Sequence, residues 1–287
     1  MTVRDLYKKK QPVFSLEVFP PKKEGGDNVG VLHGTLARIA NLAPDFISVT
    51  CGVSGKSETV EIADYIQKRH EILSLAHLTC AAMTRADIEA ALVAMRKCGV
   101  RNVLALRGDI PRGTPPFEAP DYRYAEDLIR DLRGRESGLC IGAACYPEGH
   151  IACGDLEIDI ARLRRKEEAG ADFLITQLFF ENGVFYRFLE RAGAAGVTLP
   201  ISAGIMPIIS LAQIQRMIFM CGASLPSKII KILHKYENNA EDLRKAGIEY
   251  TAAQAEELAV HGADGIHVYT MNRPEIAEAC ASVLGRA

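Results

Sequence analysis

Several ionisable and polar side chains stand inside otherwise apolar runs, where an unpaired or unused polar group is costly. Glu17 lies between Leu16 and Val18 in SLEVFPP. Strand alternation turns it to the opposite face from both neighbours. A carboxyl held among apolar side chains is suited to keep a proton and then donate it. The alternative is a structural pair with an arginine of another strand. Arg107-Gly108-Asp109 closes another apolar run. There the glycine permits close backbone approach to a ligand and the aspartate can accept hydrogen bonds or steady positive charge. A plain turn capped by Asp109 is the competing reading. Other polar residues at the ends of such runs are Thr50, His77, Thr79, Tyr146, His150, Gln177, Tyr269, Asn272 and Arg273. Asp159, Arg162 and Lys166 fall at i, i+3 and i+7, one polar stripe beside the apolar stripe of Leu156, Ile160 and Leu163. Such a stripe can hold a ribose and a diphosphate, or it can be a solvated face of local ion pairs.

These groups need elements to position them. Eight short apolar segments supply strands: Val13–Phe19, Phe46–Gly52, Ser74–Cys80, Asn102–Gly108, Cys140–Pro147, Asp172–Phe179, Leu199–Pro207 and Gly265–Asn272. Each is almost continuously apolar at first and polar at its end, as parallel strands covered on both faces are. Helical spacing marks Thr84–Cys98, Asp155–Ala169 and Glu181–Ala195 between them. The stretch between the seventh and eighth strands is too long for one helix, and Ile208–Cys221 and Ala240–His261 both read as helical, with Ser227–Tyr236 between them. Strand and helix alternate without a linker. The expected fold is therefore an α/β (β/α)₈ TIM barrel, a single domain over residues 1–287 with extra helices between strands 7 and 8. Its catalytic groups should gather at the C-terminal ends of the strands.

Composition narrows the classes. Thirty-four basic against 36 acidic side chains leave a net charge of −2, without the basic excess of a nucleic-acid binder. Apolar residues make up 48% and charged residues 24%, a globular mix. No apolar run is long enough for a membrane span, and no apolar region follows the first charges as in a signal peptide. The eight cysteines are expected to be reduced thiols of a cytoplasmic protein. Two fragments suggest other chemistry. Gly52-Val53-Ser54-Gly55-Lys56-Ser57 looks like the end of a P-loop, but Thr50 stands where the first glycine belongs. Cys140, Cys145, His150 and Cys153 lack a zinc-site spacing, and Cys140 and Cys145 have opposite parity on one strand. No metal is expected, and no GxGxxG is present.

The motifs occur in the order found in one enzyme family. SLEVFPPK with Glu17, SVTCG with Thr50, AHLTC with His77, LALRGDIP, CYPEGH, ITQLFF, GIMPI and HVYTMNRPE together resemble methylenetetrahydrofolate reductase, in the short bacterial form with a catalytic barrel alone. The resemblance implies a barrel that binds FAD at its C-terminal rim. It implies reduction of 5,10-methylenetetrahydrofolate to 5-methyltetrahydrofolate by ping-pong hydride transfer from NADH or NADPH. By motif, Glu17 would be the general acid that opens the imidazolidine ring, and Asp109 would lie near flavin and pterin and stabilise the iminium cation. Thr50, His77, Arg107, Gly108, Tyr146 and His150 match flavin contacts, as do Tyr124 and Ala125. Asp159, Arg162, Arg165 and Lys166 match the helix that holds the flavin's ribose and diphosphate. Gln177, Gln213 and Arg273 match folate contacts. The chain departs from the family at Cys51, often tyrosine, at Met217, often aromatic, and at Arg162, where a neutral polar residue also occurs. The family tends to form homo-oligomers, and some relatives receive electrons through a partner subunit.

Overall fold

The computed structural model describes residues 1–21, 28–51, 58–81, 83–109 and 121–286. The P-loop-like fragment with Lys56, and Ile110-Pro111 of the LRGDIP motif, lie outside the described residues. Eight parallel strands close into one barrel in sequence order. They are β1 (Val13–Val18), β2 (Phe46–Val49), β3 (Leu73–Thr79), β4 (Asn102–Leu106), β5 (Cys140–Cys145), β6 (Phe173–Thr176), β7 (Ile201–Ile205) and β8 (Gly265–Tyr269). Closure is by β8 against β1, with Ser15 opposite His267 and Glu17 opposite Tyr269.

Helices run between the strands: α2 (Asn28–Ala40), α3 (Thr59–His70), α4 (Arg85–Cys98), α5 (Ala125–Arg135), α6 (Leu156–Ala169) and α7 (Asn182–Ala194). Between β7 and β8 there are three, α8 (Leu211–Cys221), α9 (Ser227–Lys235) and α10 (Ala240–Val260), and α11 (Pro274–Val283) follows β8. The expected extra helices are therefore present. Side-chain caps fix several starts: Thr84 accepts from the Asp87 N–H, and Asp155 accepts from Glu157 and Ile158. Gly99 and Gly170 end α4 and α6 in the left-handed conformation. None of the helices among the described residues is long and apolar enough to cross a membrane.

Most strands stop short of their expected ends. β2 ends at Val49 and β8 at Tyr269. Past these points the chain leaves the ladder to form the rim loops, so the polar tail of each run is loop. One element carried no sequence signal. Helix α1 (Val3–Tyr7) lies across the N-terminal end of the barrel. Val3, Leu6 and Tyr7 pack there with Val13, Phe46, Leu75, Leu104, Cys140 and Phe173, and Tyr7 Oη meets Ser202 Oγ at 2.8 Å.

The two faces of each strand do different work. Outward residues such as Leu16, Val18, Ile47, Val103 and Ile141 join the helices in the main core. Inward residues form a graded interior. It is apolar at the α1 end, then polar at Ser15, Ser48 and His267, and ionisable at Glu17 and His77, all of them buried. Cys140 packs in the inner cluster and Cys145 in the outer one, so the two sulfurs face opposite ways. None of the eight cysteines is joined in a disulfide.

Candidate active site

Glu17 reaches the upper barrel interior from β1 and is 5% exposed. Its Oε2 lies 3.4 Å from His77 Nε2 on β3 and 3.5 Å from His267 Nε2 on β8. Ser48 Oγ on β2 is 3.5 Å from the same oxygen. Among the described residues, the pairing with an arginine that the sequence left open is not what surrounds it; imidazoles and a hydroxyl do. Burial pushes His77 down to about 4, with Glu17 opposing and His267 adding to the shift. The ring is neutral at pH 7, and so is not a countercharge to the carboxyl.

The backbone around Glu17 is clamped from the turn after β8. Thr270 Oγ1 donates to Glu17 O at 2.6 Å. The Asn272 side chain accepts from Phe19 N–H at 2.8 Å and donates to Phe19 O at 2.9 Å. Asn272 stands at φ 56°, in the left-handed region that asparagine tolerates better than most residues. Beside this clamp, Tyr269 Oη donates to Thr176 O at 2.6 Å, and its burial raises the phenol well above its ordinary range. Gly204 makes room for that contact, since a Cβ there would lie 2.2 Å from Thr176 O and 2.7 Å from Tyr269 Oη.

A cavity of about 280 Å³ opens on the same rim. Nine of the expected cofactor residues line it: Arg107, Tyr124, Ala125, Tyr146, His150, Asp159, Arg162, Arg165 and Lys166. Among the described residues, its four cations, Arg107, Arg162, Arg165 and Lys166, outnumber its two carboxylates, Glu126 and Asp159. Arg165 is taken by Glu126 at 2.6 Å, and Arg162 lies a loose 3.9 Å from Asp159. Lys166 is mostly desolvated, which lowers its ammonium from the usual range, and its Nζ donates to Ala144 O at 2.7 Å. Its ammonium also lies 5.7 Å from the Tyr146 ring centroid. Asp159 is buried and accepts from the His150 backbone N–H at 2.9 Å, which folds the β5–α6 loop onto α6. The surplus of two positive charges, one of them desolvated, fits a bound diphosphate. The stripe on α6 is therefore a cavity wall, not a solvated face.

The other expected residues do not line this cavity. Gly108 turns at φ 77°, and a Cβ there would meet Thr79 Cβ at 2.7 Å, so the β4 end can pack on β3 only as glycine. Asp109 is exposed on the rim, where its charge raises Tyr146 and Cys221, though burial is the larger cause for both. Thr50 is half-buried, and its backbone receives the Thr59 hydroxyl at 2.9 Å. Gln177 is half-buried, with its Oε1 accepting from Leu178 N–H at 3.0 Å. The Gln213 amide closes the β7–α8 loop, accepting from Ile209 N–H at 2.8 Å and donating to Pro207 O at 3.0 Å. Arg273 caps α11 and lies 3.7 Å from Glu275. Three residues beside Glu17 went unassigned from sequence, Ser15, Ser48 and His267. Their signal was parity, because all three share the inward face with Glu17 and Tyr269.

The profile of the methylenetetrahydrofolate reductase family matches residues 2–285. This chain belongs to the methylenetetrahydrofolate reductase family. It is 31% identical over 273 residues to the 5,10-methylenetetrahydrofolate reductase of Salmonella typhimurium, an alignment covering 94% of this chain and 90% of that protein. Its similarity to methylenetetrahydrofolate reductase (NADH) 1 of Arabidopsis thaliana is 33% identity over 284 residues, 94% of this chain and 48% of the plant protein. The chain thus spans about half the length of the curated plant relative it matches. A probable methylenetetrahydrofolate reductase (NADPH) of Caenorhabditis elegans is 32% identical over 283 residues. Among solved structures, a Clostridium thermocellum protein described as binding two copies of 5-methyl-5,6,7,8-tetrahydrofolic acid shares the fold. Its TM-score is 0.66 at 15% identity, over 99% of this chain and 97% of that one.

Proposed function

We propose that this chain reduces 5,10-methylenetetrahydrofolate to 5-methyltetrahydrofolate with NADH or NADPH as reductant, in ping-pong order through bound FAD. The observation that carries the reading is the buried carboxyl of Glu17, set at the mouth of the barrel between two imidazoles and a serine hydroxyl in a chain of this family. The names of the relatives support it, with both nicotinamides among them. The folate held by the Clostridium thermocellum barrel agrees with it.

The cavity residues fit an anionic dinucleotide. Lys166 and Arg107 would meet the diphosphate, Asp159 and Arg162 the ribose, and Arg165 would act from its pair with Glu126. Tyr124, Ala125, Tyr146 and His150 would complete that wall, with Thr50, His77 and Gly108 toward the barrel mouth. FAD would carry reducing equivalents between the nicotinamide and the folate. Glu17 donates its proton to the folate nitrogen as the imidazolidine ring opens. Asp109 steadies the resulting cation with its charge. Gln177 addresses the pterin amide edge, while Arg273 and Gln213 contact the rest of the folate.

The test is anaerobic. Protein loaded with FAD is mixed with NADH, and separately with NADPH, while the flavin's visible absorption is followed. Bleaching by at least one nicotinamide is expected. A protein that takes up no FAD refutes the reading. Bound FAD that neither nicotinamide bleaches refutes direct reduction and points to electrons delivered by a partner protein.

A further inference from the structure

Below Glu17 lies a polar layer to which the proposed reaction gives no task. His267 is fully buried there. Its Nδ1 is 2.8 Å from Ser15 Oγ, and its Nε2 is 3.5 Å from both Ser48 Oγ and Glu17 Oε2. The ring lies near-parallel to Phe46 at 6.0 Å and edge-on to Tyr269 at 5.3 Å, so packing fixes its plane.

The Ser15 hydroxyl has one proton and two acceptors in reach, His267 Nδ1 at 2.8 Å and Ile266 O at 3.4 Å. The short contact is a good O–H···N hydrogen bond and the long one is marginal. Donation to Nδ1 leaves the ring hydrogen on Nε2, aimed at Glu17 and Ser48. The groups facing the carboxyl are then Ser48 from β2, His77 from β3 and His267 from β8. Tyr269 stands opposite Glu17 in the β8 register, with its hydroxyl committed to Thr176 O. Among the described residues, the two imidazoles are the only ion-pairing groups within 4 Å of Glu17, and neither lysine nor arginine approaches it.

We propose that His267, held in its Nε2–H tautomer by Ser15, is a positioning residue for Glu17. This rests on the reading of Glu17 as the acid in folate reduction. The Glu17 O–H bond breaks and an N–H bond forms on the folate, while His267 keeps its own proton throughout. Its neutral N–H orients the acid beforehand and steadies the carboxylate left behind. A cation in that place would hold the carboxyl ionised before the reaction. An apolar group would give the carboxylate nothing.

Nitrogen-15 NMR of histidine-labelled protein reads the tautomer directly. The expected spectrum has one buried imidazole protonated at Nε2 alone, assigned to His267 by its loss in His267→Asn, with the tautomers mixing in Ser15→Ala. Protonation of His267 at Nδ1, or a tautomer indifferent to Ser15→Ala, overturns the proposal. The second readout is the pH profile of folate reduction. His267→Asn keeps an oxygen for Ser15 but loses the Nε2 donor, and should move the profile up by about one pH unit, a tenfold change in proton affinity. His267→Gln restores an N–H in that position and should return the profile toward wild type. Superimposable profiles of wild type and His267→Asn refute the proposal. If His267→Asn fails to fold, Ser15→Ala carries both readouts. Wild-type protein inactive on folate would instead defeat the underlying functional reading, while the tautomer result stands apart.

Discussion

Acidification should weaken this barrel through His77 in a defined window. Burial lowers this imidazole from the ordinary 6.5 to about 4 in the folded protein. Between those values the unfolded chain holds a proton that the folded chain refuses. Unfolding then takes up a proton, so stability falls as pH falls from 6.5 toward about 4 and this contribution is constant below that. Each pH unit inside the window is worth about 1.4 kcal/mol. From pH 7 to pH 5 the loss is about 2 kcal/mol, and across the whole window about 3 kcal/mol. The assay is urea unfolding followed by circular dichroism at several pH values, for wild type and for His77→Gln. Gln keeps a neutral polar group but cannot titrate, and titrations beyond the two groups coupled to His77, Glu17 and His267, are shared between the two proteins. Wild type should lose about 2 kcal/mol more than the variant between pH 7 and pH 5. Parallel stability curves would refute the burial of a neutral His77 beside Glu17.

Two further substitutions probe the site's supports. Gly204→Ala drives a methyl against Thr176 O and Tyr269 Oη, and should cost about 2 to 3 kcal/mol in the same unfolding assay; a neutral result would mean β6 and β8 do not approach β7 this closely. Lys166→Met removes the desolvated ammonium, and FAD affinity followed by flavin fluorescence should fall roughly 10- to 100-fold. The FAD-free protein should not lose stability, because the ammonium lies in a site that disfavours its charge. Unchanged FAD affinity would place the diphosphate elsewhere.

The barrel was legible because both faces of every strand are covered, which makes each strand an almost unbroken apolar run. Ser15, Ser48 and His267 did not interrupt those runs, since each stands between outward apolar neighbours. Helix α1 was not legible. Its five residues are too few to show a period, and its reason for existing is tertiary, the fit of Val3, Leu6 and Tyr7 into the barrel base. Glu17 could be read from alternation alone, but its partners could not, because they come from strands far away in sequence. The α6 stripe had the spacing of an ordinary solvated face. Its meaning came from the family resemblance, and the buried Asp159 and desolvated Lys166 now give it a physical basis. Gln213 shows the reverse. Its expected ligand role was carried over by motif, and the structure gives its amide a task within the β7–α8 loop.

The central claim is that Glu17 donates the proton in folate reduction. The most direct measurement mixes FAD-loaded protein, reduced in advance and held without oxygen, with 5,10-methylenetetrahydrofolate, and follows flavin reoxidation and 5-methyltetrahydrofolate formation in one turnover. Wild type should reoxidise and form one product per flavin. Glu17→Gln should stay reduced on mixing with the folate, although NADH had reduced it normally. Reoxidation by Glu17→Gln at the wild-type rate, or equal loss of both half-reactions in that variant, would contradict the account.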